Sequence, residues 1–452
     1  MKRPTQTYTT LLLRSIALCA GISQVAQATD LVEVYQKALT GDPQFRQVAA
    51  NKRAVLEERP QALANLLPEV SLSADIAGIS SVRTGSNSIG FDSSRSFVDL
   101  SRSNADTRGY DLILSQPVFH GDRYLRLKQA DNSIKQADAE LSAAQINLAL
   151  RVSTTYFNVL AAVDSLGFAE AEKRSLSQQL EQARQRFDVG LTAVTDVQEA
   201  QAGYDRAVAD EIRAINEIDN TREALREITG EFLPDLEGLD ETIPMVSPEP
   251  ADIESWSNNA MSNNLDVIAA IHAVDIARDE IKVQQSGHLP TVDLTARRSY
   301  NESDTSGDSE NTSNTIGLQF NMPLYSGGSV SSRTRATQER LNQQLEILEQ
   351  IRRQAHRQAR QSYLGVMSGI SQIKALQQAV VSSEVALDAT RTGFEVGTRT
   401  AVDVVQSERA LFQAKRDLSR ARYDYIINTL NLKQAAGILT IDDIEQINQW
   451  LN

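Results

Sequence analysis

Apolar and polar positions change period several times along this chain, and each change comes twice. Val70, Leu72, Ala74 and Ile76 alternate with Ser71, Ser73 and Asp75, the two-residue period of a strand. A second strand is expected from Tyr110 to Phe119, where Tyr110, Leu112 and Leu114 alternate with Asp111, Ile113 and Ser115. Residues 78–107, rich in Ser, Gly, Asn and Arg, read as a polar loop between them. The period then lengthens. Leu127, Ala130, Ile134, Ala137, Leu141, Ala144 and Leu148 follow a heptad, which predicts a helix packed along a seam, with the alanines letting neighbours approach closely. From Asp122 to Val189 there is no proline and a single glycine, Gly167, so this helix is on the order of 100 Å long. Ahead of the first strand, Asp42 and Pro43 start a helix that runs to Asn65, with Pro60 as a kink near its end.

The second half repeats the order. Strands are expected over Val292–Tyr300 and Thr315–Tyr325, where Ile316, Leu318, Phe320 and Met322 face one way and Gly317, Gln319 and Asn321 the other. A short acidic loop, Asp304 to Asn314, joins them, and a second long helix runs from Ser329 to Val396. Return helices over 194–229 and 400–436 are about half as long. The repetition extends to residues. Arg186-Phe187-Asp188-Val189-Gly190 returns as Gly393-Phe394-Glu395-Val396-Gly397, an offset of 207 (397 − 190), as do Asp196-Val197 with Asp403-Val404 and Tyr156 with Tyr363. Upstream of the strands, Leu67-Pro68-Glu69-Val70 matches Leu289-Pro290-Thr291-Val292 at 222 (289 − 67), the difference being a longer first loop. The chain is duplicated. The organisation expected is a first repeat over 29–230 (hairpin 68–119, tip 190–195) and a linker over 231–250. A second repeat follows over 251–437 (hairpin 290–325, tip 397–400), then a closing segment over 438–452.

The strands have apolar outer and polar inner faces, the pattern of an outer-membrane barrel rather than of a two-sided core. Open strand edges are not tolerated in lipid. Four strands are too few to close a barrel, so several chains must pool theirs: two supply eight, three supply twelve. Tyr110, Phe119, Tyr300, Phe320 and Tyr325 lie at strand ends, where interfacial aromatic belts form. A small soluble sheet with scattered aromatics is the competing reading. Pro117 and Pro323 mark the passage from strand to helix, and Gly190 and Gly397 allow the chain to reverse at the helical tips.

Composition narrows the class. Lys2, Arg3, the short apolar run Leu11–Ile22 and Ala26-Gln27-Ala28 form a signal peptide over residues 1–28, implying export. The only cysteine, Cys19, lies inside that segment, so no disulfide or thiol chemistry is expected after its removal. Cleavage would take the charge from −14 to −17 (42 − 59), which argues against nucleic acid as a partner. No apolar run of about 20 residues remains to make a transmembrane helix. His120, His272, His288 and His356 show no metal-ligand spacing, and Ser371-Gln372-Ile373-Lys374 stands mid-helix without companion motifs. No catalytic residue, metal or cofactor is expected.

Several stretches resemble one family closely. RFDVGLTAVTDVQ, VGTRTAVDV, STTYFNVLAAVD, GHLPTVDLTA and LREITG are similar to the outer membrane factor family of TolC-like channels, over nearly the whole chain after residue 28. The resemblance implies a mainly α fold carrying a membrane β-barrel: a homotrimer with a coiled-coil tunnel and a shared twelve-stranded barrel. It implies an outer-membrane exit duct, reaching far into the periplasm, for multidrug efflux or type I protein secretion. It places a girdling region at residues 29–41, 231–262 and 438–452. Its partners would be a periplasmic adaptor protein, an inner-membrane efflux or ABC transporter, and outer-membrane lipid. The lock that shuts the periplasmic end maps onto Thr195, Asp196, Phe394 and Arg399, with Arg399 able to bond Asp196. Phe394 stands where the family carries tyrosine, so that hydroxyl bond cannot form. Two aspartate rings that narrow the entrance map onto Asp403 and Gln406, and the second has lost its charge. Val189, Gly190, Leu191, Val396, Gly397 and Thr398 match tips gripped by adaptors. A periplasmic coiled-coil adaptor or tether, and a soluble helical binding protein, remain as alternatives on pattern alone.

Overall fold

A computed structural model describes residues 28–87, 97–240, 243–304 and 309–451. Residues 1–27, most of the expected signal peptide, lie outside the described residues. Asp30 opens α1 (Leu31–Gly41) by accepting the Glu33 N–H at 2.6 Å, and Asp42 opens α2 (Pro43–Leu56) by accepting the Phe45 N–H at 2.8 Å. The single helix expected up to Asn65 is instead two, because α3 (Glu58–Ala64) starts after a break at Glu57. Pro60 accounts for the break: it has no N–H for the Leu56 carbonyl four residues back, and its ring crowds that carbonyl.

Strands β1 (Glu69–Asn87) and β2 (Phe97–Phe119) are much longer than the alternation predicts. Pairing continues from Glu69↔Ser115 to Asn87↔Phe97, through most of the segment read as a loop. Beyond Ile76 the apolar residues recur at three-residue spacing (Ile79, Val82), which hides a strand from period analysis. The ladder is made by backbone groups and does not need alternation where no face is selected for burial. In the second hairpin, β3 (Thr291–Ser303) pairs with β4 (Ser309–Asn321). Strand β4 ends four residues before Tyr325, because Pro323 lacks the N–H a ladder requires. Met322, Leu324 and Tyr325 therefore lie beyond the strand, and residues 305–308 of the expected loop are outside the described residues. All four strands form one antiparallel sheet in the order β1-β2-β3-β4, with β1 and β4 at its two edges.

Strand gives way to α4 (Gly121–Asp188) and, after the second hairpin, to α8 (Ser329–Glu395), 68 and 67 residues long and close to their predicted bounds. Each reverses into a shorter partner, α5 (Val194–Thr229) and α9 (Ala401–Ala435). Helices α6 (Ile253–Asn263) and α7 (Leu265–Gln285) repeat α1 and α2–α3 at the 222 offset, with Asn264 capping α7 where Asp42 caps α2. Of the predicted seam, Ala130, Ala137 and Leu148 are buried and Leu127, Ile134, Leu141 and Ala144 half-buried, while Ala139 and Ala143 join the contact. A seven-residue repeat drifts around a helix of 3.6 residues per turn, so the buried face widens. One 18-residue window of α4 is apolar enough to pass for a membrane span by length and composition, contrary to the expectation that none exists; half of it is buried against other helices.

The largest core lies midway along the long helices, where Tyr156, Phe157, Tyr423 and Ile426 meet. Leu31 and Val34 of α1, Trp256 of α6, and Ile444 and Ile447 of α10 (Ile441–Asn448) join the same cluster. Two isolated bridges, Thr29↔Leu236 and Leu239↔Leu451, close this collar. The Tyr156 hydroxyl donates to the carbonyls of Thr29 and Glu237 at 3.2 and 2.9 Å, and burial pushes its pKa well above the ordinary tyrosine value.

Candidate channel: the membrane sheet and the helical tips

The register sorts the sheet into two faces. Val70, Leu72, Tyr110, Leu112, Leu114, Val292, Leu294, Ile316, Leu318 and Phe320 share one, since Leu72 pairs with Leu112, Tyr110 with Tyr300, and Val292 with Phe320. This apolar face is open to the surroundings, Leu72 being 70% and Ile316 81% exposed. A soluble protein would bury such a face. On this face of β3 the apolar residues are Val292, Leu294 and Ala296, with Arg298 standing opposite Leu112 before Tyr300. The nine residues from Val292 to Tyr300 are at the short end of the roughly 9–11 that a tilted membrane strand needs. Tyr110 and Tyr300 stack at 5.5 Å at the upper end of this stretch. The opposite face is polar: Arg297 makes a bidentate pair with Asp111 at 2.9 and 2.8 Å, and His120 Nε2 meets Asp293 Oδ1 at 2.9 Å where strand turns to helix.

At the far end both tips use the same turn. Gly190 and Gly397 adopt φ of 75° and 78°, which a side chain would strain. The Leu191 N–H donates to the Arg186 carbonyl, and the Thr398 N–H to that of Gly393, both at 2.8 Å. Val189, Leu191 and Val396 stand at these turns, about 70% exposed. The start of the return helix differs between copies. Thr400 caps α9, its N–H and hydroxyl donating to Asp403 Oδ2 at 2.9 and 3.0 Å, with the Asp403 N–H returning to Thr400 Oγ1 at 3.3 Å. The backbone bond from Thr400, then its hydroxyl, and nearby Arg399 hold the Asp403 carboxyl below the usual carboxylate range. Asp196, the same position in copy one, accepts instead from the Thr192 hydroxyl, and Ala193 offers α5 no side-chain cap.

Of the residues singled out from the sequence, Phe394 and Arg399 flank the second turn, and Thr195 and Asp196 lie in the first turn of α5. Within one chain, Asp196 and Arg399 form no ion pair among the described residues. Gln406 is exposed one turn beyond Asp403. Phe394 receives the guanidinium of Arg186 on its ring face, 4.7 Å from the centroid. Sequence reading missed this contact, and it missed a buried cluster behind the tips. Glu408 of α9 is fully buried and takes Arg391 Nη2 of α8 at 2.5 Å and the Ser175 hydroxyl of α4 at 2.7 Å. Further from the tips, Arg416 of α9 pairs with buried Glu172 of α4 at 2.9 Å. The one legible signal was Glu408 facing Gln201 across the 207 offset.

An exposed apolar sheet joined to a bundle of very long helices is also what comparison with known proteins gives. The profile of the family described as "Outer membrane efflux protein" matches residues 34–231 and 256–438. The chain belongs to that family. It is 36% identical to the outer membrane protein TolC of Escherichia coli over 96% of this chain and 87% of that protein. To TolC of Vibrio cholerae it is 37% identical over 95% of each. It is also 29% identical to the alkaline protease secretion protein AprF of Pseudomonas aeruginosa, over 93% of this chain and 87% of that protein. Among solved structures, the Campylobacter jejuni CmeC outer membrane channel superposes with a TM-score of 0.75 over 100% of this chain and 98% of that one, at 14% identity. VceC of Vibrio cholerae gives 0.72 over 90% and 96%, at 19% identity. The chain is an outer-membrane exit channel for efflux and type I secretion. The adaptor reading has no support among these relatives.

Proposed function

We propose that three copies of this chain close one twelve-stranded barrel and one helical tunnel, gated at the periplasmic tips. The observation that carries this reading is the four-stranded sheet with an exposed apolar face and two unpaired edges. Lipid cannot satisfy edge N–H and C=O groups, so β1 of one copy must pair with β4 of the next. Two copies would give eight strands, whose interior is filled by side chains; three leave an open lumen. The polar face, with Asp111 and Arg297, lines that lumen.

At the tips, Asp196 and Arg399 are unpaired with each other inside one chain, so a lock between them has to cross a subunit boundary. There Arg399 can make the charge-assisted bonds that are strongest for such a site. Phe394, lacking a hydroxyl, contributes through Arg186 instead. Three Asp403 carboxylates around one axis favour cations, and Gln406 adds no charge to a second ring. The apolar tips Val189-Gly190-Leu191 and Val396-Gly397-Thr398 are the docking points for a periplasmic adaptor, which couples the duct to an inner-membrane transporter. The leader over residues 1–28 directs export to the outer membrane.

Outer-membrane fractionation followed by planar-bilayer recording tests the reading. A heat-resistant trimer with a small resting conductance, enlarged by Arg399→Ser, is the expected result. A monomer in the soluble fraction would sink the channel assembly, and conductance unchanged by both Arg399→Ser and Asp196→Ala would sink the lock.

A further inference from the structure

Behind the tips, three helices meet at one carboxylate. Glu408 Oε1 receives Arg391 from its own hairpin and Ser175 from α4 of the other repeat, and Arg391 Nη2 also donates to Ser175 Oγ at 3.2 Å. The second oxygen, Oε2, is buried and has no partner among the described residues. A fully buried carboxylate with one oxygen unpartnered by the protein is a costly way to fill space, and an apolar side chain of that size would pack at less cost.

The duplication supplies a control within the same molecule. Arg391 and Glu408 correspond at the 207 offset to Arg184 and Gln201, which make the same cross-turn bond, Arg184 Nη2 to Gln201 Oε1, at 2.7 Å. That pair is exposed, its acceptor is neutral, and among the described residues none of the other repeat joins it. In copy two the acceptor has been given a charge and buried, while Arg391 stays half exposed, and the contact is tied to the other hairpin through Ser175. Beside it a cavity of about 240 Å³ lies between the hairpins, lined by Ser175, Gln179, Gln182, Arg186, Arg391 and Phe394. Gln179 Nε2 is likewise buried without a partner among the described residues.

We infer that Glu408 is a positioning residue of the gate: through Ser175 it latches the α8–α9 hairpin to α4, and its buried, unpartnered oxygen keeps that latch weak enough to release. The inference rests on the reading of the tips as a gate. When the hairpins part, Ser175 leaves with α4 while Arg391 stays with Glu408, and water reaches Oε2. Closing makes the two cross-hairpin bonds of Ser175, to Glu408 and from Arg391, and strands one oxygen; opening reverses both.

The two contributions have opposite signs and can be separated. Ser175→Ala removes the latch and leaves the carboxylate less satisfied, so the open fraction in single-channel records should rise about tenfold, the worth of one bond to a charged group. Ser175→Thr keeps the hydroxyl and should restore the parent behaviour. Glu408→Gln keeps an acceptor for Ser175 while removing the buried charge, so the open fraction should fall by a comparable factor. Each variant is first checked as a heat-resistant trimer, which a gating role leaves intact. Ser175→Ala and Glu408→Gln shifting the open fraction in the same direction, or neither shifting it while Arg399→Ser does, overturns the latch. If Arg399→Ser is also silent, the gate itself has failed and the latch falls with it.

Discussion

The hairpins α4–α5 and α8–α9 share a turn, a length and a 207-residue register, yet they differ in how polar groups near the tip are satisfied. In the first, Arg184 and Gln201 bond in the open, and Asp196 is occupied by the Thr192 hydroxyl. In the second, Glu408 is drawn into the interior while Arg391 reaches it from a half-exposed position, and Asp403 is held by Thr400 in a reciprocal cap. Thr192 itself corresponds to Arg399, so one copy spends that position on a local bond and the other presents a cation. Duplication thus preserves the fold of a hairpin while leaving its polar contacts free to diverge. Packing constrains the apolar seam of both copies alike, but a polar contact can change partner without moving the backbone.

The comparison is broken most strongly at Arg391 and the buried Glu408. Arg391→Ala leaves Glu408 buried with only Ser175, a loss of about 3–5 kcal/mol, whereas Arg184→Ala at the exposed counterpart should stay within about 0.5 kcal/mol. Thermal dissociation of the trimer in detergent measures both, and equal effects would erase the proposed difference between the hairpins. Next come the two hairpins of the sheet, where the copies should behave alike. Leu112→Arg and Leu318→Arg, which correspond at the 206 offset that also relates Pro117 to Pro323 and both lie on the apolar face, should each cost about 2–4 kcal/mol at mid-membrane and deplete folded protein from the outer membrane. Gln319→Arg, on the polar face, should be tolerated; a loss as large as that of Leu318→Arg would mean the faces are reversed.

Smaller effects separate the caps. Thr400→Ala should cost about 1 kcal/mol, and Ala193→Thr should recover part of that in the other copy. Urea denaturation of the two variants, compared with the parent, gives the sign of each. The smallest effect is on titration. The Asp403 carboxyl is held below its unfolded value near about 3.9. Its contribution is therefore fully present above that value and is lost as pH falls through the lowered folded pKa. Block of the channel by multivalent cations should accordingly persist to lower pH than for an ordinary carboxylate. Thr400→Val should move the loss of block upward in pH, and an unmoved profile would separate Asp403 from the blocking site.

Much of the fold was legible because it is repeated and periodic. The long helices α4 and α8 were placed to within a residue or two by uninterrupted helical pattern and by the glycines that end them. The hairpins were found from alternation at Leu72, Leu112 and Leu318, but their length was not, since Ile79 and Val82 break the alternation while the backbone continues to pair. Asp403 and Arg399 stood out through resemblance. Glu408 did not, because its partners Ser175 and Arg391 lie 233 and 17 residues away, and nothing local marks them.

The sequence by itself determined the duplication, the alternation of strand and helix, the apolar face of the sheet and the reversal at each tip. These are local properties: a period, a proline or a glycine acts on the backbone within a few residues. Only the tertiary structure decided which charges are buried, that Phe394 rests on Arg186, and that one carboxylate in the second hairpin holds a serine of the first. Such contacts depend on the angle and spacing between helices far apart in the chain, and a pattern read along one helix carries no information about the face it will meet.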